Sequence, residues 1–153
     1  MTFAIFSNAQ NFASIDSLEN VLKTNPADPV KYDICIALND EYYFYDYAKC
    51  KEYILIALPI AQKLKNKSGE AYCISELGLL NNYLGETDEA LKYALKAIKM
   101  YESLKDSSMI ATTLNNAGYI YYTLGNIDSC VNFYIRSLNI KEKLGDKQSL
   151  ATA

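Results

Sequence analysis

Apolar residues recur three and four positions apart through most of this chain, and the pattern itself returns every 40 residues. Ile15, Leu18 and Leu22 share one face of a helix expected from about Ser14 to Thr24, which Asn25-Pro26 stops. Asp28-Pro29 then reads as an N-cap followed by proline at the first helical position. From there the spacing predicts first helices near 29–44, 69–84 and 108–124, and second helices near 47–65, 87–105 and 127–144. A shift of 40 residues superposes Leu64, Leu104 and Leu144, brings Tyr43 onto Tyr83, and places Gly78 on Gly118 and Asp88 on Asp128. Two columns stay small: Cys50, Ala90 and Cys130, then Ala57, Ala97 and Ser137. A fixed period of this length marks stacked repeats, in which each helix pair lacks a core of its own. The expected fold class is all-α.

Glycines punctuate the pattern at two kinds of place. Leu84-Gly85-Glu86 and Leu124-Gly125-Asn126 fall between paired helices, where glycine suits a left-handed C-terminal residue. In the first repeat Tyr45 replaces that glycine, so a different turn is expected there. Asp88 and Glu89 follow in the next first turn, where negative charge complements the helix dipole. Pro59 lies inside a predicted helix and is expected to kink or shorten it. Gly78 and Gly118 fall in mid-helix, at a cost of up to about 1 kcal/mol each relative to alanine. That cost implies a neighbouring helix too close for a side chain, with Ala90 and Cys130 expected opposite.

Leu77-Gly78, Gly85, Asp88-Glu89-Ala90 and Ala97 resemble the tetratricopeptide-repeat pattern, as do Gly118, Tyr121, Gly125, Cys130 and Tyr134. The resemblance covers roughly residues 30–147, with the first repeat the most degenerate, carrying Leu38 where the others have glycine. The period of 40 exceeds the usual ~34 and resembles the longer variety found in kinesin light chains and peptide-responsive bacterial regulators. The same variety occurs ahead of the output domains of bacterial sensor kinases and transcription factors. The resemblance implies a right-handed α-solenoid whose first helices line a concave groove. The domain reading that follows is an N-terminal segment 1–13, a half-repeat helix 14–26, and repeats over 28–67, 68–107 and 108–147. Residues 148–153 read as the opening of a further repeat, and the chain as a piece of a longer protein.

Transferring the family's groove positions onto this register marks Tyr32, Cys35, Asn39, Tyr42 and Tyr43 in the first repeat. In the second it marks Tyr72, Ser75, Leu79, Asn82 and Tyr83, and in the third Thr112, Asn115, Tyr119, Tyr122 and Thr123. Tyrosine offers rigid contact area, and asparagine both donates to and accepts from a peptide backbone. The same residues also read as packing between adjacent first helices. Lysine and arginine are absent from Ser68 to Leu91 and from Asp106 to Ile135, so the expected partner is a neutral or basic protein or peptide. Family members that clamp a chaperone's C-terminal carboxylate use basic residues there. Asn39 and Asn116 match the clamp's amides, but its cations are missing, so an acidic tail finds no countercharge.

Composition narrows the chemistry. The 153 residues carry a net charge of −3, which gives no reason to expect nucleic acid. Fourteen tyrosines stand against no histidine and no tryptophan, and the missing histidine removes the commonest general base and metal ligand. Cys35, Cys50, Cys73 and Cys130 show no C-x-x-C spacing and read as small core residues, with a disulfide or reactive thiol as the alternative. No phosphate-binding loop, nucleophile elbow or metal-spaced cluster occurs. No catalytic residue, metal or cofactor is therefore expected.

No stretch approaches the ~20 apolar residues of a membrane span. The opening Met1–Gln10 reads equally as the remnant of a secretory signal, with Ser7-Asn8-Ala9 as its cleavage site, or as an N-terminal strap. The compartment stays open between cytoplasm and bacterial periplasm. Two functions fit: a non-catalytic protein- or peptide-binding scaffold, or the sensory region of a bacterial signalling protein with a kinase, cyclase or transcription-regulating output. Self-association through the uncapped end is a third expectation.

Overall fold

The computed structural model describes residues 14–145, and every regular element among them is helical. The signal-like opening and the start of a further repeat lie outside the described residues. Two units are distinguished, residues up to Asn66 and residues from Lys67 onward.

In the first unit, α1 covers residues 14–23, α2 Asp28–Tyr42 and α3 Tyr47–Lys63. Ile15 of α1 is buried, as its place on the apolar stripe requires. The N-cap of α2 is Ala27 and not Asp28. Pro29 fixes the entry, and Asp28, already helical, pairs with Lys63 at the far end of α3. Asp46 caps α3, its carboxylate accepting from the Lys49 N–H at 3.0 Å. Pro59 does not shorten α3, which runs four residues past it. Leu55, whose carbonyl loses its partner there, is about half exposed, so water can take the place of the missing N–H.

In the second unit, α4 (Lys67–Tyr83) pairs with α5 (Thr87–Leu104), and α6 (Ser107–Thr123) with α7 (Ile127–Leu144). The two hairpins stack through α5 on α6 and α4 on α6. Ala90, Ala94 and Ile98 of α5 bury against Leu114, Ala117 and Ile120 of α6, with Phe133 and Ile140 of α7 closing the cluster. Neither hairpin owns this core, which forms only where they meet. All four cysteines are buried as small core residues, and none forms a disulfide.

The turns separate by sequence as expected. Gly85 and Gly125 take φ of +83° and +73°, and the following N–H groups reach back to the last helical carbonyls. At the first hairpin no residue is left-handed; Tyr45 and Asp46 instead both donate to the Tyr42 carbonyl. Between hairpins a second left-handed column appears at Asn25, Lys65, Lys105 and Gly145, spaced by 40 residues. The last is glycine and the first asparagine, both suited to this conformation, whereas Lys65 and Lys105 give no warning in residue type.

Gly78 meets its expectation. A Cβ there would lie 3.2 Å from the Ala90 carbonyl oxygen and 3.1 Å from the Ala94 nitrogen, against the backbone of α5. Gly118 differs in cause. A Cβ would strike the Tyr134 ring at 2.9 Å, so the close neighbour is that ring and not Cys130. Tyr134 occupies the register position of Ala94, and the same glycine makes room for a side chain in place of a helix backbone.

Candidate binding surface

In the first unit α2 carries Tyr32, Asn39, Tyr42 and, at its C-cap, Tyr43. Tyr32 and Tyr43 are partly buried, and Tyr43 makes edge contacts with Phe44 and Tyr47. Asn39 is 1% exposed; its amide donates to Asp40 at 3.2 Å, and its backbone carbonyl receives the Cys50 thiol. Tyr42 is tied into a network that the sequence pattern does not mark. Its hydroxyl and that of Tyr53 both donate to one oxygen of Glu19, at 2.8 and 2.7 Å, and the two rings stack 5.8 Å apart. Glu19 thereby joins α1 to both α2 and α3.

Electrostatics follow from that geometry. The Tyr53 and then the Tyr42 hydrogen bonds hold the Glu19 carboxyl below its ordinary range, against a smaller desolvation effect, with Lys49 and Lys23 assisting. Burial, followed by the Glu19 bond, pushes the Tyr42 phenol up to about 12 and moves Tyr53 in the same direction. Because the folded carboxyl is the stronger acid, its contribution is complete above the unfolded value near pH 4.3 and fades as pH falls through the lower folded value. Glu19→Gln is expected to cost about 1 kcal/mol at pH 7, at the weak end for bonds to a partly hydrated charge. The gap to the wild type should close toward pH 3 in helicity-monitored denaturation. A gap independent of pH would contradict this role for the carboxylate.

In the second unit the marked residues come from α4 and α6. Ser75 and Thr113 are buried, with their hydroxyls 3.5 Å apart across the two helices. Seven residues along α4, the Asn82 amide donates to the Thr123 hydroxyl at 3.4 Å, and that hydroxyl donates to the Tyr119 carbonyl at 3.1 Å. These polar rungs join adjacent first helices. Tyr83 and Tyr119 stand beside the second rung, 37% and 39% exposed, with ring centroids 6.2 Å apart and planes tilted by 54°. Tyr122 is more exposed still, at 61%. Tyr72, Leu79 and Asn115 are partly buried, and the Thr112 hydroxyl turns back to the Ser108 carbonyl.

The marked positions therefore divide. Ser75, Asn82 and Thr123 form helix-to-helix rungs, whereas Tyr83, Tyr119 and Tyr122 offer aromatic surface to solvent. Asn81, unmarked by the sequence pattern, is 2% exposed. With Asn39 and Asn82 it buries an amide oxygen that has no hydrogen-bond partner. The marked side chains are phenols, amides, hydroxyls, Leu79 and the buried thiol of Cys35. Among the described residues no cluster of histidine, cysteine and carboxylates is spaced to hold a metal ion. No described helix is long and apolar enough to cross a membrane.

Two family models match the second unit, one over residues 71–104 and one over 111–144, and each is described as a tetratricopeptide repeat. These hairpins are tetratricopeptide repeats. The matched segments leave out residues 105–110, which comprise the two-residue linker Lys105-Asp106 and the first turn of α6. Six residues separate the two 34-residue matches, which accounts for the spacing of 40 between them. Among solved structures the chain is similar to the apo form of RapI, with a TM-score of 0.84 and 18% identity over 96% of this chain. It is also similar to aspartyl phosphate phosphatase F from Bacillus subtilis, at 0.80 and 18% over 96%. A Rap protein complexed with competence and sporulation factor gives 0.76 and 19% over 90%. The chain spans 55% of RapI and 40% of each of the other two. At this identity the likeness is one of fold. No curated protein matches the sequence.

Proposed function

We infer that this chain is a non-catalytic tetratricopeptide module that holds a protein or peptide partner on the face built by its first helices. The α4–α6 surface carries the reading. Tyr83, Tyr119 and Tyr122 lie exposed on a scaffold cross-linked by the Ser75–Thr113 and Asn82–Thr123 rungs. A side chain with little rotamer freedom on a rigid backbone loses little entropy on binding, which is what a contact surface needs. Tyr72, Leu79, Thr112 and Asn115 extend the face along the same two helices. Tyr32, Asn39, Tyr42 and Tyr43 are the corresponding positions on α2.

The partner is expected to be neutral or basic. The stretches Ser68–Leu91 and Asp106–Ile135 hold seven acidic residues and no lysine or arginine. Replacing Tyr83, Asn115 and Tyr119 together with alanine is expected to weaken partner capture by the full-length protein at least about tenfold, with the helical circular dichroism unchanged. Capture at wild-type strength would move the site off this face.

A second reading makes the module the receptor region of a bacterial signalling protein. It is supported by the fold shared with Rap proteins, one of which was solved with competence and sporulation factor bound, and by their greater length. Sequencing the gene on both sides of this segment separates the two: an adjoining output domain favours the receptor, and repeats alone favour the scaffold.

A further inference from the structure

The first unit holds an open cavity of about 220 Å³ between α1 and α3, two helices that carry none of the marked positions. Its size lies above the ~150 Å³ that takes up benzene in an apolar interior and below the ~300 Å³ at which drug-sized sites begin. A ligand about as large as one amino acid fits such a space. Helical spacing makes the walls. Glu19, Leu22 and Lys23 come from one face of α1, and Lys49, Glu52, Tyr53 and Ile56 from one face of α3. Leu22, Ile56 and the Tyr53 ring supply an apolar lining. The other four residues are two carboxylates and two ammonium groups, so the charges around the cavity sum to zero.

These charged groups hold one another loosely. Lys49 Nζ lies 3.6 Å from Glu52 and 5.9 Å from the centroid of the Tyr53 ring, with the Lys49 and Glu52 side chains 41% and 58% exposed. A long ion pair in water is worth little, so a bound group of matching charge can take either partner's place. Lys23 donates to Asn20 at 3.2 Å, on the surface. Glu19 is held more firmly, by Tyr42 and Tyr53. Both of those bonds end on Oε1, so Oε2 is open to a further donor.

We propose that this cavity binds a free α-amino acid with an apolar side chain of about leucine size. The zwitterion matches the lining group for group. Its ammonium meets Glu19 and Glu52, its carboxylate meets Lys23 and Lys49, and its side chain lies on Leu22, Ile56 and Tyr53. A ligand of one sign answers only half of the lining charges, and a purely apolar one answers none. Bound between two helices, the amino acid adds contacts that join α1 to α3, and it stabilises the first unit in proportion to its occupancy. The site is separate from the first-helix face and does not depend on it.

The test titrates the isotope-labelled full chain with L-leucine and follows its amide resonances by NMR. The expected result is a saturable, millimolar-range shift centred on α1 and α3. Isocaproate lacks the ammonium of leucine, isoamylamine lacks its carboxylate and glycine lacks its side chain. Each should bind at least about tenfold more weakly than leucine. Lys49→Gln combined with Glu52→Gln should weaken leucine by a similar factor, with the helical circular dichroism unchanged. No saturable shift up to the solubility limit of leucine overturns the site. Isocaproate or isoamylamine binding as well as leucine makes the cavity a mere apolar crevice and overturns the proposal too. Leucine bound at wild-type strength by the double variant does the same. The analogue series uses the unaltered chain, so it decides the question even where the variant loses structure.

Discussion

Leu114→Ala is expected to lower the stability of the second unit by about 3 kcal/mol. Leu114 is 1% exposed and sits where α5 and α6 meet, among Ala90, Ala94, Ile98, Ala117 and Ile120. All five of these neighbours are small or β-branched and anchored on helix backbones, so they cannot move in to fill the space. The lost transfer free energy and the residual cavity therefore add. At roughly 4–8 °C per kcal/mol for a unit of this size, the thermal midpoint should drop by more than about 10 °C. Hydrogen exchange should locate the loss in α5 and α6, since a repeat interface transmits mainly to its neighbours. A loss below about 1 kcal/mol would mean that the hairpins hold together by contacts other than this cluster.

Gly78→Val is expected to cost a similar amount, about 3 kcal/mol, through overpacking. The first added carbon already lies 3.1–3.2 Å from backbone atoms of Ala94 and Ala90, and two methyls follow it. Relief requires α5 as a whole to move away from α4. Gly78→Ala adds the first carbon alone and regains about 1 kcal/mol of helix propensity, so its net cost should be nearer 1 kcal/mol. Gly118→Ala provides the contrast. Its obstacle is the ring of Tyr134, partly exposed and able to turn about its own bonds. There the propensity gain should offset most of the clash and leave the change within about 1 kcal/mol of neutral. Urea denaturation of the two alanine variants is the direct comparison. Equal losses would show that the chemistry of the obstacle does not matter.

The two glycines also show how far residue patterns reach. That something close lies over Gly78 and Gly118 follows from the propensity cost of mid-helix glycine. What lies there does not, because Ala94 and Tyr134 share a column and differ in size. Helix placement was legible to within one or two residues for most ends, since 3.6-residue periodicity and the turn glycines are local properties. Asp28 misled because an acidic residue suits both the N-cap and the first turn, and its pairing with Lys63 lies 35 residues away. Pro59 did not end its helix, because the cost of a missing N–H depends on whether water reaches the freed carbonyl.

On the candidate face, the repeat register was enough to assemble tyrosines, amides and hydroxyls on first helices and to show that residues 68–91 and 106–135 carry no lysine or arginine. It could not separate Ser75, buried against Thr113, from Tyr122, open to solvent, because both satisfy the same column rule. Nor could it find Glu19, whose two phenol partners lie 23 and 34 residues along the chain.

By itself the sequence determined the repeat, its period of 40, its all-α class and the sign of charge along the first helices. These are sums over near neighbours, and near neighbours are what a linear pattern records. Tertiary structure alone decided which polar groups turn inward as rungs and which rings stay outside, and it alone set Tyr83 and Tyr119 6.2 Å apart. Those outcomes depend on the distance and tilt between helices, which are set by side-chain volumes packed across the chain and not along it.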